Sequence, residues 1–147
     1  MPDSKSDAHS TEPLPEVTTS EEVMFFDTDA GGVVHNLAYL RWVETARTKL
    51  ATKLGWSLKD MAESSEFVVV LKTEASYKRP AVLGDTVEVR GSLENVERVR
   101  FSCRFDVVRP SDEAVLVESR QELALVKMPD GRPLRLPKEF RQRWATN

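Results

Sequence analysis

The chain has 147 residues, 40% of them apolar, with 24 acidic against 21 basic side chains and a net charge of −3. That length and composition fit one globular domain with a filled core, and the acidic balance argues against general electrostatic binding to nucleic acid or an anionic membrane surface. No apolar run approaches the ~18 to 20 residues that span a bilayer, and the opening MPDSKSDAHSTEPLPEVTTS has no apolar signal core, so a cytoplasmic protein without membrane insertion is expected. One cysteine, Cys103, and two histidines, His9 and His35, leave neither an intrachain disulfide nor a recognisable zinc spacing.

Residues 1–19 are rich in Ser, Thr, Pro, Asp and Glu and nearly lack large apolar side chains. They predict a disordered tail ahead of a single domain over 20–147. A short strand is expected over Glu22–Phe26, ending at the run DTDAGGVV, Asp27 to Val34. Two carboxylates and two glycines ahead of a helix bring an acidic side chain near free backbone N–H groups, where an acyl oxygen gaining negative charge is stabilised. A turn-capping aspartate explains the same local pattern.

Leu37, Leu40, Val43, Ala46, Leu50 and Leu54 recur at helical spacing and Gly55 follows as a C-terminal cap, which predicts one helix over Leu37–Leu54. Trp56–Ser65 reads as a short helical turn and loop. Beyond Glu66 the period becomes two. Phe67, Val69, Leu71, Ala75 and Tyr77 mark one strand and Val87, Val89 and Leu93 a second; Phe101, Cys103, Phe105 and Val107 mark a third and Val115, Val117, Leu123 and Leu125 a fourth. Turns at Pro80 and Gly84, Asn95 to Arg98, and Pro110 to Glu113 would join them as a meander, and Pro137–Trp144 predicts a terminal helix. The sum is an α+β fold, a five-stranded antiparallel sheet wrapped around one long central helix. Such a sheet leaves an edge and a helix flank uncovered, which points to a symmetric dimer.

The stretch FFDTDAGGVVHNLAYLRWVETAR, Phe25 to Arg47, resembles the opening motif of hot-dog-fold acyl-CoA thioesterases of the 4-hydroxybenzoyl-CoA thioesterase and Tol-Pal-associated type: a D-x-D-x-x-G-x-V loop, then a Tyr and an acidic residue in the helix. SYKRPAVLGDTVEV, Ser76 to Val89, resembles the family's second signature, and the resemblance spans about Glu22 to Lys127. It implies the hot-dog fold and thioester hydrolysis, with the catalytic carboxylate at Asp29 acting as nucleophile or general base and Asp27 structural. The Asn36 backbone N–H would polarise the thioester oxygen, His35 would assist beside it, and Gly32, Val34, Tyr39 and Glu44 would face the acyl group. Arg98, Arg100, Lys78 and Arg79 would hold the phosphates of coenzyme A. No metal or cofactor is implied, because coenzyme A enters as part of the substrate. Active sites between the subunits of a homodimer, or of a dimer of dimers forming a homotetramer, are implied as well.

One departure stands out. After the glycines the Tol-Pal-associated branch often reads V-V-Y-H-A-N-Y where this chain reads VVHNLAY, so the histidine comes one residue early and Leu37 and Ala38 replace a small residue and an asparagine. The acyl-side lining therefore differs from that branch.

Simpler readings stand beside several of these roles. His35 fits a helix cap, and Glu44 fits an intrahelical ion pair with Arg41 or Arg47 at three-residue spacing. Arg98 and Arg100 fit a solvated strand edge, Tyr39 and Trp42 fit core or interface aromatics, and Cys103, in phase with Phe101 and Phe105, fits a buried strand position. Two other functions share the fold: a non-catalytic protein binding acyl-CoA or an acyl carrier, and a hot-dog dehydratase, which needs a histidine paired with a carboxylate across the dimer.

Overall fold

The computed structural model describes residues 13–144. One long helix, α1 (Asn36–Leu54), lies against an antiparallel sheet. The strands are β1 (Glu16–Glu22), β2 (Glu66–Tyr77), β3 (Thr86–Val96), β4 (Arg100–Arg109), β5 (Ala114–Lys127) and the short β6 (Arg132–Leu134). Two one- to two-turn helices, α2 (Leu58–Ser64) and α3 (Lys138–Trp144), complete the fold.

Helix α1 forms where the apolar residues recur every three to four positions, and its buried stripe is Ala38, Tyr39, Trp42, Val43, Ala46, Leu50 and Leu54. It ends at Gly55, whose φ of 105° only glycine adopts without strain. The stripe packs on β3, β1 and β4, meeting inward residues that alternate along each strand: Val87, Val89 and Leu93, then Phe101, Phe105 and Val107. Each large aliphatic side chain taken fully out of water contributes about 1.5–3 kcal/mol. Charged residues on the outward face pair along and across the strands, as in Arg90–Glu88 at 2.9 Å on β3 and Arg120 of β5 with Glu94 of β3 at 2.7 Å.

Three expectations are corrected. The N-terminal tail does not extend to residue 19: β1 begins at Glu16 and pairs with β3 from Glu16↔Ser92 to Glu22↔Thr86, while residues 1–12 lie outside the described ones. The segment expected to be a strand to Phe26 instead closes into a 3-10 turn, Phe25–Asp27, through the Asp27 N–H to the Met24 carbonyl at 2.9 Å, and the Asp27 carboxylate caps it by accepting the Met24 N–H at 2.9 Å. The four long strands are not a simple meander either. The sheet order is β1-β3-β4-β5-β2, with β6 beside β5, so the chain leaves β2 at one edge and crosses to β3 near the other.

Register places the chain's unusual segments at two opposite ends. Glu22 pairs with Thr86, and Tyr77 is level with Val117, Val107 and Val89. The loops after β1 and β2 and the start of α1 therefore gather at one end of the sheet. At the other end lie the β3–β4 turn, Gly55 and an aromatic cluster in which Trp56 stacks on Phe101 at 5.6 Å and Phe140 sits 4.9 Å from Trp56.

Gly91 sits opposite Phe105, and a Cβ added there would come within 2.6 Å of the buried ring. Gly91→Ala is expected to destabilise the fold by about 1–3 kcal/mol, the usual cost of overpacking, read as a lower urea midpoint, whereas the neighbouring Ser92→Ala stays within about 0.5 kcal/mol.

Candidate active site

The DTDAGGVV run folds into a loop whose two aspartates have different environments. Asp27 is buried: its Oδ1 accepts from Arg41 Nη2 at 2.7 Å, its Oδ2 from the Met24 N–H at 2.9 Å, and its carbonyl from the His35 N–H at 3.0 Å. Asp29 is exposed. Its Oδ1 accepts the Gly31 N–H at 2.9 Å, and Oδ2 has no hydrogen-bond partner among the described residues. The Asp29 N–H donates to Val33 and the Gly32 N–H back to the Asp29 carbonyl, both at 2.9 Å, closing a tight turn that needs Gly32 at a φ of 79°. Thr28 and Val34 pair across its base.

At the start of α1 the first N–H groups have no intrahelical acceptor. His35 is the N-cap, its Nδ1 accepting the Ala38 N–H at 3.2 Å and its Nε2 lying 3.4 Å from the Phe26 carbonyl. Asn36, the first helical residue, is exposed with its N–H at the positive end of the helix. A cleft of about 290 Å³ opens beside it, lined by Val34, Asn36, Tyr39, Tyr77, Lys78, Arg79 and Pro80. The two sequence signatures are stitched together here. Val34 donates its N–H to the Ala81 carbonyl at 3.0 Å, the buried Ala81 returns its own N–H to the Tyr39 hydroxyl at 2.8 Å, and Val33 bridges Val82. Burial pushes the Tyr39 hydroxyl above its ordinary pKa, so it stays protonated at neutral pH.

A family model of the Thioesterase-like superfamily matches residues 23–144, from the end of β1 through α3. The chain belongs to this superfamily. Among curated relatives, an acyl-CoA thioesterase, YbgC of Haemophilus influenzae, is 29% identical over 120 residues, covering 81% of this chain and 87% of the relative. The DHNA-CoA thioesterase of Staphylococcus aureus superposes with a TM-score of 0.75 at 26% identity, covering 82% of this chain and 80% of that one. A 1,4-dihydroxy-2-naphthoyl-CoA thioesterase of Synechocystis shares the fold, with a TM-score of 0.75 at 19% identity over 86% of this chain and 93% of that one. The α+β arrangement of sheet and long helix is thus the hot-dog fold of the thioesterases.

Within this thioesterase fold, Val34, Asn36, Tyr39, Lys78 and Arg79 meet at one cleft, and Asp29 and Gly32 stand on the adjoining loop. Lys78 reaches Glu118 at 3.8 Å, whereas Arg79 has no ion pair among the described residues. Arg98 and Arg100 are not brought to this end. They lie at the β3–β4 turn, and the ten steps of β3 from Thr86 to Val96 amount to about 33 Å of strand. Arg100 bonds Glu122 at 3.3 Å on the outer sheet face, and Arg98 presents its carbonyl to the Leu136 N–H. Glu44 lies outside the cleft too, exposed, with Arg47 at 3.8 Å.

Of the two arginines at three-residue spacing from Glu44, Arg47 makes the intrahelical pair, while Arg41 bonds Asp27 instead, because it lies over the carboxylate buried at the 3-10 turn. Sequence reading also misses Arg109, which bonds Asp85 at 3.2 Å while Asp85 accepts the Val82 N–H at 3.0 Å, pinning the loop that carries Ala81. It misses Gln121, buried on the inward face of β5, which accepts from Arg47 at 3.3 Å and donates to Thr73 at 3.1 Å. Polar residues, Ser119 and Gln121, at inward positions between Val117 and Leu123 are the signal for Gln121; the arginines leave none. Cys103 is buried, which pushes its thiol up to about 12 and removes it as a nucleophile.

Tyr39→Phe leaves the buried Ala81 N–H without its acceptor and is expected to cost about 1–3 kcal/mol of stability, measured by chemical denaturation. With a thiol reagent at pH 8, Cys103 is expected to react only after unfolding, since both burial and its raised pKa keep the thiolate scarce.

Proposed function

We propose that the protein hydrolyses acyl-CoA thioesters, with Asp29 as the reacting carboxylate and the Asn36 N–H as donor to the thioester oxygen. One observation carries this reading: Asp29 presents a carboxylate with one oxygen held by Gly31 N–H and the other unengaged, on a loop tied to the start of α1. A thioester carbonyl seated in the adjoining cleft would place its carbon toward Asp29 and its oxygen toward the helix N-terminus. Negative charge forming on that oxygen meets oriented N–H groups that need no reorganisation.

Two routes lead to the same products. As nucleophile, Asp29 adds to the carbonyl and expels coenzyme A thiolate, leaving a mixed anhydride that water hydrolyses to the free acid and regenerated carboxylate. As general base, it takes a proton from the water that attacks directly. The names of the relatives, an acyl-CoA thioesterase and a DHNA-CoA thioesterase, support the coenzyme A thioester as substrate. Within the superfamily the DTDAGGVV loop favours the 4-hydroxybenzoyl-CoA and Tol-Pal-associated type. Lys78 and Arg79 beside the cleft suit a phosphate of the same molecule. His35 would act through its cap on the first turn of α1, and Tyr39 and Val34 would shape the acyl side.

We place the working site between two copies. Among the described residues strand β2 has a neighbour on one side only, and Val70, Leu71 and Tyr77 along it are exposed. A second copy against that edge would cover them and give the cleft a second wall. Arg98 and Arg100, distant within one chain, would then serve the partner's coenzyme A, and two such dimers would form a tetramer.

Asp29→Asn is expected to lower kcat at least ~10²-fold with coenzyme A affinity unchanged, followed by thiol release from a panel of acyl-CoAs. Retained turnover removes Asp29 from the chemistry. Changing Arg98 and Arg100 together to Ala is expected to raise KM for acyl-CoA well beyond any effect on a short thioester lacking the nucleotide. Equal effects on both substrates return the pair to the solvated strand edge.

A further inference from the structure

We infer that Arg41, which touches neither the cleft nor Asp29, is a positioning residue that sets the Asp29 loop against the start of α1 by closing an ion pair over the buried Asp27; the inference rests on the reading of Asp29 as the reacting carboxylate. Helix α1 grips the chain ahead of the loop at three points. Arg41 Nη2 meets Asp27 Oδ1 at 2.7 Å, the His35 N–H meets the Asp27 carbonyl at 3.0 Å, and His35 Nε2 faces the Phe26 carbonyl at 3.4 Å. Only the first involves charge.

Asp27 joins both partners of the reaction geometry. It is two residues from Asp29, and its carbonyl holds His35, the cap immediately before Asn36. The Asp27 side chain is 3% exposed against 53% for Arg41, so the guanidinium is what stands between that carboxylate and water. Without Arg41 the carboxylate faces desolvation with one backbone N–H as partner, and it gains by turning outward to water. Turning outward breaks the Met24 N–H bond that caps the 3-10 turn and leaves it with its two backbone bonds, Asp27 N–H to Met24 and Thr28 N–H to Phe25. The turn then relaxes, and Asp29 and the Asn36 N–H lose their common frame. The outer-face arginines pair in a different setting: Arg90, for example, joins Glu88 on its own strand and Glu113 in the β4–β5 loop, and bonds neither Asp27 nor the Asp29 loop.

The test compares Arg41→Gln, Arg41→Lys, Arg90→Gln and Asp29→Asn in steady-state acyl-CoA hydrolysis below their thermal midpoints. For Arg41→Gln, kcat is expected to fall ~10- to 100-fold, the scale of a roughly 1 Å misplacement of reacting groups, while KM changes less than about threefold. Arg41→Lys keeps a cation able to make the single bond to Asp27 and is expected to restore most of kcat; Arg90→Gln is expected to match wild type. The double variant Asp27→Asn/Arg41→Gln removes the buried charge with its partner. It is expected to recover the thermal midpoint yet stay at least about fivefold below wild-type kcat, and it carries the test alone if Arg41→Gln does not fold. Wild-type kcat in Arg41→Gln, or in the double variant, overturns the clamp while a dead Asp29→Asn leaves the Asp29 reading standing. An active Asp29→Asn overturns that reading, and the clamp with it, whatever Arg41 does.

Discussion

A carboxylate removed from water has to be met by donors or give up its charge, and the way Asp27 is met organises the functional end of this molecule. The side chain caps the 3-10 turn at Met24, its backbone carbonyl receives the helix cap, and Arg41 reaches back from the second turn of α1 to pair with it. Each partner comes from a different part of the chain. The strand exit, the glycine loop and the helix entry are thereby held as one unit.

A second unit grips that one from the β2–β3 connection. Ala81 is the joint: its carbonyl takes the Val34 N–H and its N–H meets the Tyr39 hydroxyl, while Arg109 and Asp85 hold the rest of the loop. Asp29 itself is spared from this stitching apart from its short turn with Gly31 and Gly32. The division has a physical sense. Under the proposed hydrolysis Asp29 would need an unengaged oxygen and a rigid mount, and the neighbouring residues would supply the mount.

Much of this was legible in the sequence because it rests on local periodicity. The apolar spacing from Leu37 to Leu54 gave a helix that begins one residue earlier at Asn36, and alternation from Phe67 onward located all four long strands. Strand β1 was hidden because EVTTSEE is an edge strand with only Thr19 buried, so it carries no apolar alternation. The position of β2 was hidden for another reason: strand adjacency is decided by packing across the sheet, and nothing local distinguishes a hairpin from a crossover. At the site, Asp27 is buried and paired while Asp29 is exposed, a difference that two like residues in one short run do not show by themselves. Helical spacing offers both Arg41 and Arg47 to Glu44 and leaves the bond from Arg41 to Asp27 unseen, because a partner fourteen residues away on a turn does not show in spacing. Arg98 and Arg100 were grouped with the site by motif alone, and register puts them at the opposite end of the sheet.

The account's central claim is that thioester chemistry occurs between the Asp29 carboxylate and the first turn of α1. A crystal structure of the Asp29→Asn protein with an intact acyl-CoA bound tests it most directly. The account predicts the thioester oxygen within about 2.7–3.1 Å of the Asn36 N–H, the range of an oxyanion donor, and its carbonyl carbon facing residue 29. A thioester seated elsewhere, for instance in the outer-face cleft beside Arg100 and Arg120, with residue 29 in solvent, would contradict it.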